Sequence, residues 1–307
     1  MARRCSAGTS TQLSRKLADP LDGGGYPALY EAANTASLDA QSRSLVALRL
    51  RLGGLLFGTL GSAIFFTAQL PQLAGWLALV GFLVALLAEL FTALSKPERQ
   101  WYEGRAAAES AKTLTWRYAV GGEKFEVGTI DVDRLFLREL RSILRDLKDV
   151  DLSAATASTD QITPKMRSIR AGTFLERRET FSEGRIKDQR AWYAKKSQWN
   201  RGRERFWTFA VIAAEFVGLL GGVATIAYSL TFDLLGLFAA LAATITAWVQ
   251  AKQHSNLATA YGITAQELAT IHSEIPSITE SGWPTFMGHA EEAISREHTL
   301  WRASRGV

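Results

Sequence analysis

The chain has 307 residues, a formal net charge of +5 and a mean hydropathy near zero. That mean conceals two long apolar windows in a strongly charged remainder, a pattern that excludes an ordinary soluble domain. Cys5 is the only cysteine, which excludes an intrachain disulfide and a cysteine-based zinc site.

Residues 1–25 read as a disordered, polar, glycine-rich leader carrying Arg3, Arg4, Arg15 and Lys16. No apolar core follows the arginine pair, so the segment is not a secretory signal. Gly23-Gly24-Gly25 lacks the strand before it and the Lys-Ser/Thr after it that a phosphate loop needs, and reads as a linker. From Pro27 to Leu50 the pattern turns helical and feeds a window of 44 residues, between Arg51 and Lys96, without Lys or Arg. About 20 apolar residues cross a hydrocarbon core of about 30 Å as a helix. The window therefore predicts two spans, 52–70 and 73–94, around a turn at Gln69-Leu70-Pro71-Gln72. Gly54, Gly58 and Gly61 fall on one face of the first span, and Ala78, Gly81 and Ala85 on a face of the second that ends at Glu89. Such small stripes let helices approach closely in lipid.

After Lys96-Pro97 a helix resumes and stops at Gly121-Gly122; its Trp101, Tyr102 and Arg105 suit the headgroup layer. Between Asp131 and Val150, the spacing of Phe136, Leu140, Ile143 and Leu147 predicts an amphipathic helix facing a partner helix. Residues 151–162 read as a low-complexity linker between a first unit, 26–150, and a second, 163–307. Thr163-Pro164 offers a helix N-cap with proline at the first helical position. A basic, aromatic-studded helix follows from Glu176 to Arg205. Its Arg190, Lys195, Lys196, Arg201, Arg203 and Arg205 are the candidates for contact with anionic lipid or a phosphate-bearing regulator. General nucleic-acid binding is a third reading, because interleaved Trp can stack bases.

The second window without Lys or Arg covers the 46 residues between Arg205 and Lys252. It predicts spans 206–229 and 232–249 around a turn at Thr231 and Asp233. Gly218 and Gly222 repeat the small-residue spacing, as do Gly236, Ala240, Ala243 and Ala247 on the fourth span. Lys252 to Glu274 continues as a polar helix, and a turn over Pro276 to Pro284 leads to a last helix from Met287 to Arg302.

The expected fold is an all-α membrane protein: four transmembrane helices as two hairpins, with long cytoplasmic helical extensions. Basic residues crowd both ends of each hairpin, so the positive-inside rule places both termini in the cytoplasm, below a cell inner (plasma) membrane. Two carboxylates lie inside the spans. Glu215 is roughly 14 Å past Phe206 and Glu89 roughly 8 Å from Leu94, at 1.5 Å per residue. Glu215 shares a helical face with Gly218 and Gly222. An intramembrane carboxylate is costly and points to function, so both are pore-lining candidates; the alternative is a neutral or paired Glu that fixes helix register. The spacing of His254, His272, His289 and His298 fits no metal pair, and no catalytic motif or cofactor is expected.

Two stretches resemble a known family. Asp188-Gln-Arg190-Ala-Trp192-Tyr193-Ala-Lys195-Lys-Ser-Gln-Trp199-Asn-Arg201 runs straight into the third span. Trp101-Tyr102-Glu-Gly-Arg105-Ala-Ala-Ala-Glu109-Ser-Ala-Lys112-Thr-Leu-Thr-Trp116-Arg117-Tyr118 runs out of the second. Both are similar to the helices flanking the hairpin of SLATT domains, two-span effectors encoded beside bacterial nucleotidyltransferase and nucleotide-sensing genes. The resemblance covers residues 30–302 as two tandem copies. It implies a pore-forming or membrane-disrupting effector of antiviral defence, gated by a nucleotide or oligonucleotide and causing growth arrest or death. The chain carries no fused sensor domain of the kind found in many family arrangements. A four-span bundle packs its own centre shut, so conduction implies a homo-oligomer. The rival reading is a non-conducting anchor that recruits a cytoplasmic protein partner. A transporter is weaker, because the two hairpins share one orientation and no span is broken by proline.

Overall fold

A computed structural model of the chain describes residues 19–65, 71–147, 150, 152, 160–229 and 232–303. Every regular element among them is a helix. In chain order these are α1 (Ala28–Phe65), α2 (Pro71–Ser95), α3 (Pro97–Val120), α4 (Val132–Asp146), α5 (Pro164–Ala171) and α6 (Phe174–Phe181). A π-helical segment, Ser182–Lys187, leads into α7 (Asp188–Tyr228). Then come α8 (Leu234–Lys252), α9 (His254–Glu274), a 3₁₀ turn (Ile275–Ser277) and α10 (Trp283–Ala303).

Local chemistry sets these boundaries. Pro97 opens α3 behind Lys96, whose φ of 43° breaks the helical path, and Gly121 ends it at φ 72°. The expected cap at Thr163 is present: its Oγ1 accepts from the Met166 amide (3.3 Å), with Pro164 in the first turn. Thr173 and Glu176 form a capping box, and the amide hydrogen bond from Thr173 holds the Glu176 carboxyl below its usual range. Asp233 caps α8 by accepting from the Gly236 amide at 2.8 Å.

The helices pack as two units, and each draws on both halves of the sequence. The polar unit takes residues 19–39, 99–196 and 260–303; the membrane unit takes Ala40–Glu98 and Ser197–Thr259.

The polar unit has its own aromatic core. Trp116, Tyr118, Phe125, Phe136, Phe181 and Trp283 are all buried there. The apolar seam of α4 turns into this core within the chain, with Phe136 and Leu140 buried and Ile143 and Leu147 partly so. Residues 19–25, grouped by composition with a leader, are packed: Leu21 is fully buried and Asp19 sits in a polar cluster. Residues 1–18 lie outside the described structure, as does most of 151–162. At the linker's described end, Asp160 and Gln161 accept hydrogen bonds from the Ala28 and Leu29 amides. Tyr102 is buried in this unit rather than free for headgroups, because α3 packs closely on α1; a Cβ at Gly104 would lie 3.2 Å from the Ser37 amide.

Two core tyrosines make this unit sensitive to alkali. The Tyr118 hydroxyl donates to Asp133 (2.6 Å), and burial together with that carboxylate pushes its pKa up to about 12. The Tyr26 hydroxyl donates to Asp19 (2.5 Å), and burial and Asp19 raise it likewise. An unfolded tyrosine ionises near 10. The stability Tyr118 contributes is therefore complete below about pH 10 and is lost as pH rises through about 12, and that of Tyr26 is lost in the same direction. Phenolate absorbance should appear late and together with unfolding, and Tyr118→Phe should flatten that loss. Ionisation of every tyrosine near pH 10 with the fold intact would refute the assignment.

The membrane unit holds the most apolar parts of the four helices long and apolar enough to cross a bilayer. Their side chains point outward: Leu86, Phe209 and Ile226 are 63, 71 and 86 % exposed. A water-soluble protein does not display such continuous apolar surface.

Candidate functional site in the membrane-spanning helices

In the first hairpin the two backbones touch. A Cβ added to Gly81 would lie 2.5 Å from the Gly58 amide nitrogen and 2.6 Å from the Gly54 carbonyl oxygen. One on Gly54 would lie 2.7 Å from the Gly81 carbonyl, and one on Gly61 2.7 Å from the Ala78 nitrogen. The stripes expected from spacing therefore meet each other. Gly81→Ala should force the helices apart and lower the melting temperature in detergent, at a cost of about 1–3 kcal/mol by overpacking. Gly53→Ala and Gly75→Ala meet nothing within 4 Å and should be neutral or mildly stabilising. Equal melting for all three would show that the contact does not hold the hairpin.

The second hairpin packs differently. Its buried positions on α7 are Ala214, Gly218 and Gly221, and the side chains they receive are large. A Cβ on Gly221 would come within 2.6 Å of Leu234 Cβ, and one on Gly218 within 3.1 Å of Phe238 Cβ. Gly222 is half-buried at ordinary contact distance from Leu235. On α8 Ala242 is buried and Ala243, which spacing put on the stripe, is exposed.

Glu89 is paired: Arg51 on α1 reaches it from across the hairpin at 2.8 Å, both side chains being about half exposed. Glu215 is exposed and has no hydrogen-bond or ion-pair partner among the described residues. Spacing placed it on the helix-packing face with Gly218 and Gly222. The structure puts it at the edge of that face, because the buried line runs through Ala214, about 100° away around the helix. The continuity of α7 from Asp188 to Tyr228 sets it roughly 14 Å along the helix axis beyond Phe206.

The basic candidates are dispersed. Arg190 and Lys195 are exposed in the polar unit, and Lys196 lies 5.8 Å over Trp192. Arg201, Arg203 and Arg205 are exposed in the membrane unit; at about 100° per residue Arg201 and Arg205 share a side and Arg203 points away. They form a collar around α7 rather than one binding face. Of the interleaved Trp residues, Trp192 packs against Tyr261 at 5.6 Å, whereas Trp199 is exposed.

Two residues of the basic helix are not on its surface at all. Arg177 is buried and donates to Glu280 at 3.3 Å. Arg185, in the π-helical segment, is fully buried and makes two hydrogen bonds of 2.8 Å to Glu291 of α10. Glu291 also accepts from the Thr113 hydroxyl at 2.7 Å. Sequence reasoning missed this pair, though one signal was there: Glu291 stands four residues after Met287 and three before Ile294, on the apolar face of α10.

Two family models match the chain. The SMODS and SLOG-associating 2TM effector domain 3 covers residues 27–178, and the SMODS and SLOG-associating 2TM effector domain 1 covers residues 181–301. No curated protein and no solved structure matches it.

Proposed function

Because the chain belongs to the SLATT family, as a tandem pair of two-transmembrane effector domains in a multi-pass membrane protein, we propose that it is a pore-forming effector assembled from several copies. One observation carries this reading: Glu215 is exposed on a single chain, close to the middle of the hydrocarbon core by its distance from Phe206, with no partner among the described residues. A carboxylate facing hydrocarbon costs at least about 2.5–3.5 kcal/mol. A symmetric assembly that turns this face toward a water-filled axis removes that cost and lines the axis with acid. Basic residues at both ends of each hairpin favour a cytoplasmic location for both termini and an inner-membrane location for the spans. The SMODS and SLOG association favours a nucleotide or oligonucleotide as regulator, and membrane permeation as the cause of growth arrest or death in antiviral defence.

The independent core of the polar unit favours a second reading, an anchor whose spans only hold a partner-binding module at the membrane. Ion flux separates the two. Purified full-length chain in vesicles loaded with a cation-sensitive dye should pass potassium, with or after addition of nucleotides. Oligomers that pass no ion under any nucleotide tried would leave the anchor.

A further inference from the structure

Within the membrane unit, two cations from different hairpins converge on one indole. Arg49 of α1 lies 5.7 Å and Lys252 of α8 lies 5.0 Å from the centroid of the Trp248 ring. Trp207, which opens the third span, meets Trp248 edge-on at 6.5 Å. Arg49 makes no ion pair among the described residues. Its position just before the first span, and that of Lys252 just after the fourth, put both charges in the headgroup layer.

An aromatic face attracts each cation, so Trp248 gathers both at one level of the unit. An anion at that level is drawn to the exposed Arg49 and to Lys252 together. The anion at hand in this layer is a lipid phosphodiester, whose oxygens match the planar fork of a guanidinium. We propose that an anionic phospholipid headgroup binds at Arg49 and Lys252 beside Trp248 and there ties the first hairpin to the second. This rests on the membrane spans alone and does not require conduction.

Native mass spectrometry of the full chain with phosphatidylglycerol or phosphatidylcholine tests it. Wild type should retain phosphatidylglycerol in preference to phosphatidylcholine. Arg49→Gln and Lys252→Gln should each weaken that retention about tenfold. Trp248→Phe, which keeps an aromatic ring, should weaken it less while leaving the fold intact. Lys96→Gln removes an exposed charge of the same unit outside this cluster and should change nothing. An equal loss with Lys96→Gln, or no lipid preference in wild type, would overturn the site in favour of diffuse charge. Displacement of the lipid by millimolar glycerol phosphate would overturn the lipid as the ligand in favour of a soluble phosphate.

Discussion

Arg185→Met should destabilise the polar unit by about 3–5 kcal/mol, the cost of leaving a buried charge without its partner. Glu291→Leu should do the same from the other side. In Arg185→Met the Glu291 carboxylate keeps only the Thr113 hydroxyl; in Glu291→Leu the guanidinium loses both of its hydrogen bonds while staying fully buried. Burial pushes the Arg185 pKa down, but the charge and hydrogen bonds of Glu291 more than reverse this, so the guanidinium stays charged at any working pH. Its Nη1 has no hydrogen-bond partner among the described residues, so the pair is not optimal and an apolar replacement has room to improve on it. The double variant Arg185→Met/Glu291→Leu should therefore recover most of either loss. Thermal unfolding of the full chain in detergent, read through core tryptophan fluorescence, gives all three values. Additive losses in the double variant would show that the two residues do not act as a pair. A domain stable by about 5–15 kcal/mol feels either single change strongly.

The π-helical segment gives this pair its geometry. Gly184 lets the chain pass so close to Pro20 that a Cβ there would overlap the proline ring, and Arg185 beside it is wholly enclosed. None of this is visible in the residue pattern around 185. Arg185 stands among basic residues that spacing and charge assign to a solvated face, and a wide turn shifts the helical register by which faces are read. The same limit explains residues 19–25: glycine content marks a loop, but Leu21 and Tyr26 decide that the loop is packed. The spans were legible for the opposite reason. Forty-odd residues without Lys or Arg leave few alternatives, and the glycine stripe of α1 meets small residues on α2 because both follow one helical period. In the second hairpin the same reasoning found Gly218 and passed over Gly221, whose contact depends on Leu234 entering directly from the turn. Periodicity gives a face within one helix; it does not say which large side chain the neighbouring helix brings to it.

Glu215→Gln should lower cation selectivity in reconstituted bilayers while leaving the fold and the oligomer intact. Glutamine keeps the size and hydrogen-bonding capacity of the side chain and removes its charge. In the proposed pore an ionised ring at Glu215 attracts cations and repels anions, so its loss should bring the cation-to-anion permeability ratio down toward unity. Toxicity on overexpression should weaken with it. Glu89 makes a sharp comparison, because the structure gives it a partner. Arg51 neutralises it within the same hairpin, and both side chains are half exposed. Glu89→Gln should then cost no more than about 1 kcal/mol of stability, as for exposed ion pairs, and should leave selectivity nearly unchanged. The two carboxylates are thus separated by what surrounds them, although spacing alone ranks them only by depth. If Glu215→Gln conducts with wild-type selectivity, the residue does not line the path. If Glu89→Gln has the larger effect, the path runs beside the first hairpin and the exposed face of α7 packs against another copy instead.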